Sequence, residues 1–147
     1  PMSEVAKRKD WFNNHSMNIE SKPKVIIVIE DENENLETLG LLLKLWGHTV
    51  IATSSAEEAL NNLRASKRIP DIILADYRLE NEKTGIEAIA LIRSEIDNPI
   101  PALLLTGDTS PDQLLQAKTS NLKILHKPIN PLQLKNIIGL IQKESRD

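Results

Sequence analysis

From Lys24 onward the chain alternates short, nearly continuous apolar runs with longer stretches in which apolar residues recur every three or four positions. That alternation is the pattern of repeated strand-helix units and a parallel sheet. Strands are expected at Lys24 to Ile29, His48 to Ala52, Asp71 to Ala75, Ile100 to Leu105 and Leu122 to Leu125. The first, third and fourth are almost wholly Ile, Leu, Val and Ala, as strands covered on both faces require. The second and fifth are shorter and carry His48, Thr49 and Lys123, which suits the edges of a sheet.

Each run leads into a helix signal. Leu36, Leu39, Leu43 and Trp46 recur at helical spacing, and Gly47 can take the left-handed conformation that closes such a helix. Ser54 and Glu57 form an expected capping box ahead of Ala56, Ala59, Leu60 and Leu63. Ile86, Ile89, Ile92 and Ile96 mark a third helix, with Asn98 and Pro99 beyond its end. Ser110, Pro111 and Gln113 supply the next start, and Asn130, Pro131 and Gln133 repeat it before Leu134, Ile137, Ile138 and Ile141. Right-handed crossovers and two weak edges suggest an α/β fold, a five-stranded parallel sheet doubly wound with five helices, and the order 2-1-3-4-5 is borrowed from its resemblance to flavodoxin-type sheets.

Composition narrows what such a sheet does. The 147 residues suit one domain, and with 40% apolar but only 3% aromatic residues the core must be aliphatic. A net charge of −3 with dispersed basic residues argues against a nucleic-acid surface. The absence of Cys excludes thiolate chemistry and disulfides and fits a cytoplasmic setting. No apolar run approaches the roughly 20 residues of a membrane span. Residues 1–22 are polar and aperiodic, and Pro1 precedes Met2. They read as a tag remnant or flexible linker, with Trp11 and Phe12 the one hint of a linker helix or a docked segment.

In an open parallel sheet, ligands bind beyond the carboxyl ends of the strands. There the first strand runs into Glu30-Asp31-Glu32 and the third into Asp76. Taken alone, the acidic run also suits the start of a helix and Asp76 a turn. Brought together, however, the carboxylates repel one another and call for a cation, and all-oxygen ligation suits Mg²⁺. The fourth strand ends in Thr106-Gly107-Asp108 and the fifth in Lys127-Pro128, adding a hydroxyl and an ammonium to the same rim. Positioned donors beside a metal suit phosphoryl transfer, and an Asp carboxylate can be its nucleophile.

With Glu30, Asp31, Asp76, Thr106 and Lys127-Pro128 in place, the segment from about Lys24 to Lys143 resembles the receiver domain of two-component response regulators. The resemblance makes 23–147 a receiver domain. It implies that Asp76 accepts a phosphoryl group from a phosphohistidine of a histidine kinase or histidine phosphotransfer domain. It also implies Mg²⁺ held by Asp31 directly, by Glu30 more through water, by Asp76 and by the backbone carbonyl of Arg78. Thr106 and Lys127 would bind the phosphoryl oxygens, the Lys127 to Pro128 bond is expected to be cis, and Gly107 leaves the acceptor accessible. Dimerisation through helix 4, strand 5 and helix 5 is a further possibility of the family.

Departures from the family pattern are Ile124, where many receivers carry Tyr or Phe, Glu80 where Pro is common, and a loop to Gly85 about one residue longer than usual. Arg78 and Asp108 are placed to pair across the pocket. The strings Ala75 to Leu79 and Leu105 to Ser110, with an ending soon after the fifth helix, look like the carboxyl-terminal receiver of a hybrid sensor histidine kinase; a free-standing regulator has the same ending. Two rivals are an unphosphorylated interaction module of the same fold and a Mg²⁺-dependent phosphatase. The phosphatase usually needs a second Asp where this chain has Arg78.

Overall fold

The computed structural model describes residues 22–107, 111–119 and 122–145. The expectations for the amino-terminal segment with Trp11 and Phe12, for Ser110 as a cap and for an Arg78–Asp108 pair fall outside these residues. In chain order the elements are β1 (Val25–Ile29), α1 (Asn33–Leu45), β2 (Thr49–Thr53), α2 (Ala56–Ser66), β3 (Ile72–Asp76), α3 (Gly85–Ile96), β4 (Ala102–Thr106), α4 (Pro111–Thr119), β5 (Lys123–His126) and α5 (Pro131–Ser145). The five strands form one parallel sheet in the order β2-β1-β3-β4-β5.

The period-2 alternation of the strands sorts their side chains into two cores. Ile27, Ile29, Ile73, Ala75 and Leu104 meet the apolar faces of α2 and α3 on one side. Ile26, Val28, Ile72, Leu74, Leu103 and Leu105 meet α1 and α5 on the other. Both faces of β1, β3 and β4 are therefore dry, which is why these strands read as unbroken apolar runs. The helical stripes read from the sequence are the faces turned inward, with Leu39, Leu43, Ala59, Leu63, Ile89, Ile92, Leu134 and Ile138 buried.

Four strands run one residue further than their last apolar position. Asp76 pairs with Leu105 and Thr106 with His126, because the ladder is made by backbone groups and is indifferent to where the apolar run stops. Ile100 does not open β4: Pro101 has no N–H to donate, and only its carbonyl joins the sheet, accepting from Ile73 N at 3.0 Å.

The helix ends carry a second correction. The α2 cap is Ser55, not Ser54, and its hydroxyl accepts from Glu58 N at 3.1 Å. Glu58, rather than Glu57, reaches back, its carboxylate accepting from Ser54 N at 3.1 Å and from Ser54 Oγ at 2.7 Å. This register turns Ala56, Ala59 and Leu60 inward and frees Glu57 to pair elsewhere. Thr84 caps α3 through Glu87 N at 3.2 Å, a Thr-x-x-Glu signal present in the sequence. Asn130 Oδ1 accepts from Leu132 N and Gln133 N, as expected for its cap. Gly47 follows α1 at φ 93°.

At the amino ends of the strands lies a small polar cluster. Lys24 is buried and donates from Nζ to Ile138 O of α5 at 2.8 Å. Its backbone N donates to His48 Nδ1 at 3.2 Å, while Asp71 Oδ2 accepts from Val25 N at 2.8 Å. Burial, then the neighbouring Lys24 charge, hold the His48 imidazole below its ordinary pKa of 6.5 against an opposing pull from Asp71.

Candidate functional site

At the opposite end of the sheet, the expected site side chains lie at or just beyond the carboxyl ends of four strands. Glu30 continues β1 and is tied to the β2 end by its N–H, which donates to Thr53 O at 3.0 Å. Asp76 is the last residue of β3 and Thr106 the last of β4. Glu30, Asp76 and Thr106 are buried, Asp31 half-buried. Lys127 follows β5, its backbone N donating to Thr106 O at 2.8 Å, and its bond to Pro128 is cis. Four neighbouring strand ends thus carry the four functional groups on one edge of the sheet.

Carboxylate oxygens of Glu30, Asp31 and Asp76 lie within 4.8 Å of one another. Lys127 Nζ sits 2.8 Å from Asp76 Oδ1 and 3.8 Å from Glu30 Oε2. Burial and the field of Asp76 push the Glu30 carboxyl above its ordinary range; the Lys127 charge and the Glu32 N–H, which donates to Glu30 Oε1 at 3.3 Å, pull the other way. For Lys127, burial alone would lower the pKa. The hydrogen bond to Asp76 and the charges of Asp76, Glu30 and Glu32 outweigh it and raise it. Three carboxylates against one ammonium leave a formal excess of two negative charges, and the donor set is entirely hard oxygen. Such a set fits a divalent magnesium-type cation.

Arg78 is exposed and sits in a hairpin that follows β3. It bridges Thr84 antiparallel, and Leu79 N donates to Lys83 O at 3.0 Å. Lys83 N closes the tip onto Glu80 O at 3.3 Å. Asn81 and Glu82 at this tip have φ of 63° and 60°, the positive pair found in type I′ turns. The longer loop of the sequence is therefore ordered into a hairpin.

Gly85 and Glu32 are two contributors that the sequence reading did not assign to the site. Gly85 N donates to Tyr77 O at 2.8 Å, and a Cβ on Gly85 would collide with the carbonyl oxygen of Asp76. Only a glycine lets α3 begin so close to the acceptor. A glycine directly ahead of a helical stripe was its one signal. Glu32 adds to the field on Lys127. Gly107 is exposed, and among the described residues a Cβ there would meet nothing within 4 Å.

Comparison with known proteins agrees with this geometry. The family described as response regulator receiver domain matches residues 26–139. The transcriptional regulatory protein ZraR of Escherichia coli O157:H7 is 31% identical over 119 residues, covering 80% of this chain and 25% of that protein. The transcriptional regulatory protein GlrR of Escherichia coli is 28% identical over 110 residues, covering 74% and 24%. The chain thus spans about a quarter of the length of these relatives. A response regulator receiver domain protein from Clostridium thermocellum superposes with a TM-score of 0.74 at 22% identity, covering 84% of this chain and 97% of that one.

Proposed function

The chain belongs to the response regulator receiver domain family, and from that footing we propose that it accepts a phosphoryl group on Asp76 from a phosphohistidine in a two-component phosphorelay. The observation that carries this reading is the convergence of the Glu30, Asp31 and Asp76 carboxylates within 4.8 Å, with Lys127 Nζ 2.8 Å from Asp76. In the transfer, an Asp76 oxygen forms the new P–O bond as the P–N bond of the donor breaks, and the electron pair returns to the imidazole nitrogen. Asp31, Glu30, Asp76 and the Arg78 carbonyl would hold Mg²⁺, which when bound neutralises charge on the phosphoryl oxygens. Lys127 leaves Asp76 to bind one of those oxygens, and the Thr106 hydroxyl donates to another.

Incubation of the protein with Mg²⁺ and acetyl phosphate, followed by intact mass spectrometry, is expected to add one phosphate that Asp76→Asn abolishes. A wild type left unmodified by several small donors and by a cognate kinase would defeat the proposal. Phosphate-independent partner binding that survives Asp76→Asn would instead favour an unphosphorylated interaction module.

A hybrid sensor histidine kinase is the proposed context, supported by the likeness of the segments around Asp76 and Thr106 to such receivers. A reading frame that continues upstream of Met2 into a kinase would bear this out, and a free-standing frame would refute it. A cytoplasmic location goes with this role. Among the described residues no helix is long and apolar enough to cross a membrane. Exposed Leu115 on α4 and Leu140 on α5 support the α4–β5–α5 face as a dimer surface. Ile124, packed against the α2–α3 core, takes the place of an aromatic reporter on β5.

A further inference from the structure

We propose that the cleft between α2, the Glu80–Lys83 turn and α3 is a second binding surface, which takes a basic segment of a protein partner anchored by an aliphatic side chain. The cleft measures about 500 Å³, and none of Glu30, Asp31, Asp76, Thr106 or Lys127 lines it. It is separate from the phosphoryl site and does not depend on Asp76 being an acceptor. That volume lies within the range of concave sites that hold small ligands or single anchoring side chains.

The floor is apolar. Ala56 and Ala88 are buried, Leu79 is half-buried, and Leu91 is 36% exposed at the edge. The rim is acidic: Glu57, Glu80 and Glu87 face one cation, Lys83. Lys83 is already engaged, its Nζ 3.2 Å from Glu57 Oε1, an exposed ion pair between the turn and α2. Among the described residues no ion pair is made by Glu80 or Glu87, and both are exposed. The rim therefore carries two negative charges in excess.

Hydrogen bonding to backbone N–H at the start of α2, with Lys83 beside it, keeps the Glu57 carboxyl below the ordinary carboxylate range. An acidic rim over an aliphatic floor is complementary to a side chain such as Leu next to Arg or Lys, and would repel an acidic segment. The hairpin supplies one wall, through Leu79, Glu80, Asn81 and Lys83.

The test uses the full chain labelled with ¹⁵N and two probes, N-acetyl-leucyl-arginine amide and N-acetyl-leucyl-glutamate amide. The basic probe is expected to give saturable amide shifts at Leu79, Lys83, Thr84, Glu87 and Leu91, and the acidic probe none. Removing rim charge in Glu80→Gln and Glu87→Gln should weaken the dissociation constant about threefold for each charge. Leu91→Ser, which keeps the charges and spoils the floor, should weaken it as well. Shifts scattered over acidic residues elsewhere, equal binding of both probes, no saturable shift, or a constant unchanged in these variants would each overturn the proposal.

Discussion

Replacing Gly85 by alanine tests whether the start of α3 holds the acceptor in position. A Cβ there would overlap the Asp76 carbonyl oxygen and lie 2.8 Å from Leu104 Cδ1 and 3.1 Å from the Asp76 carbonyl carbon. Comfortable carbon contacts are about 3.5–4.0 Å, so the gap must open by roughly 1 Å. Leu104 can turn away, but the Asp76 backbone is pinned in the β3–β4 ladder. Overpacking of a well-packed site costs about 1–3 kcal/mol. Alanine recovers at most about 1 kcal/mol through its better helix propensity. The net loss should be about 1 kcal/mol, read as a lower urea midpoint at unchanged slope. A shift of roughly 1 Å in a reacting group can cost about 100-fold in rate, so phosphorylation by acetyl phosphate should slow well beyond what the unfolded fraction explains. Gly107→Ala is the control: among the described residues its Cβ meets nothing within 4 Å, so stability should change by no more than about 0.5 kcal/mol. Equal stability and equal phosphorylation rates for Gly85→Ala and wild type would refute the argument.

The His48 pKa is lowered in the fold, so the unfolded chain takes up the proton first. The contribution of neutral His48 to stability is present above about pH 6.5 and fades as pH falls below it. Urea midpoints at pH 7.5 and 5.5 should show wild type losing stability relative to His48→Asn; a difference that is flat with pH contradicts this. Glu82 occupies the left-handed region at the turn tip, where glycine is preferred. Glu82→Gly should therefore raise stability by about 0.5–1 kcal/mol by thermal unfolding, and a lower melting temperature would count against the turn as described. Removing divalent cation with EDTA should lower the melting temperature relative to Mg²⁺ at tenfold its dissociation constant, where binding adds about 1.4 kcal/mol. That difference should shrink in Asp31→Asn, and an undiminished one would place the metal elsewhere.

The apolar runs of β1, β3 and β4 were legible because both faces of each strand are covered, leaving no polar alternation to confuse. Their ends were less so. Asp76 and Thr106 belong to the ladder, yet a polar side chain looks like a strand end when burial is the only signal. The tandem Ser54-Ser55 offered two capping registers, and only the inward demand of Ala56 and Leu60 selects between them. His48 was read as a mark of an edge, and β2 is an edge, but His48 itself is buried against Lys24; tertiary partners of this kind leave no trace in local sequence. Glu30, Asp31, Asp76 and Lys127 were readable as a set because each lies at or just beyond the carboxyl end of an apolar run. The approach of Gly85 to Asp76 was not, since it depends on the path of the hairpin between them, which contains no glycine to announce it.

The strands that carry the carboxylates are also the most deeply covered. Ile26 to Ile29 and Ile72 to Ala75 are 0% exposed, whereas β5 is a four-residue edge strand with Lys123 and His126 open to solvent. In amide hydrogen exchange the backbone of β1 and β3 should therefore open only with the whole molecule, while β5 and the turn into α5 open sooner. The metal-binding half of the site inherits the full cooperativity of the fold. Lys127 follows the edge strand, so as the protein is destabilised the ammonium should leave the pocket before the acids separate.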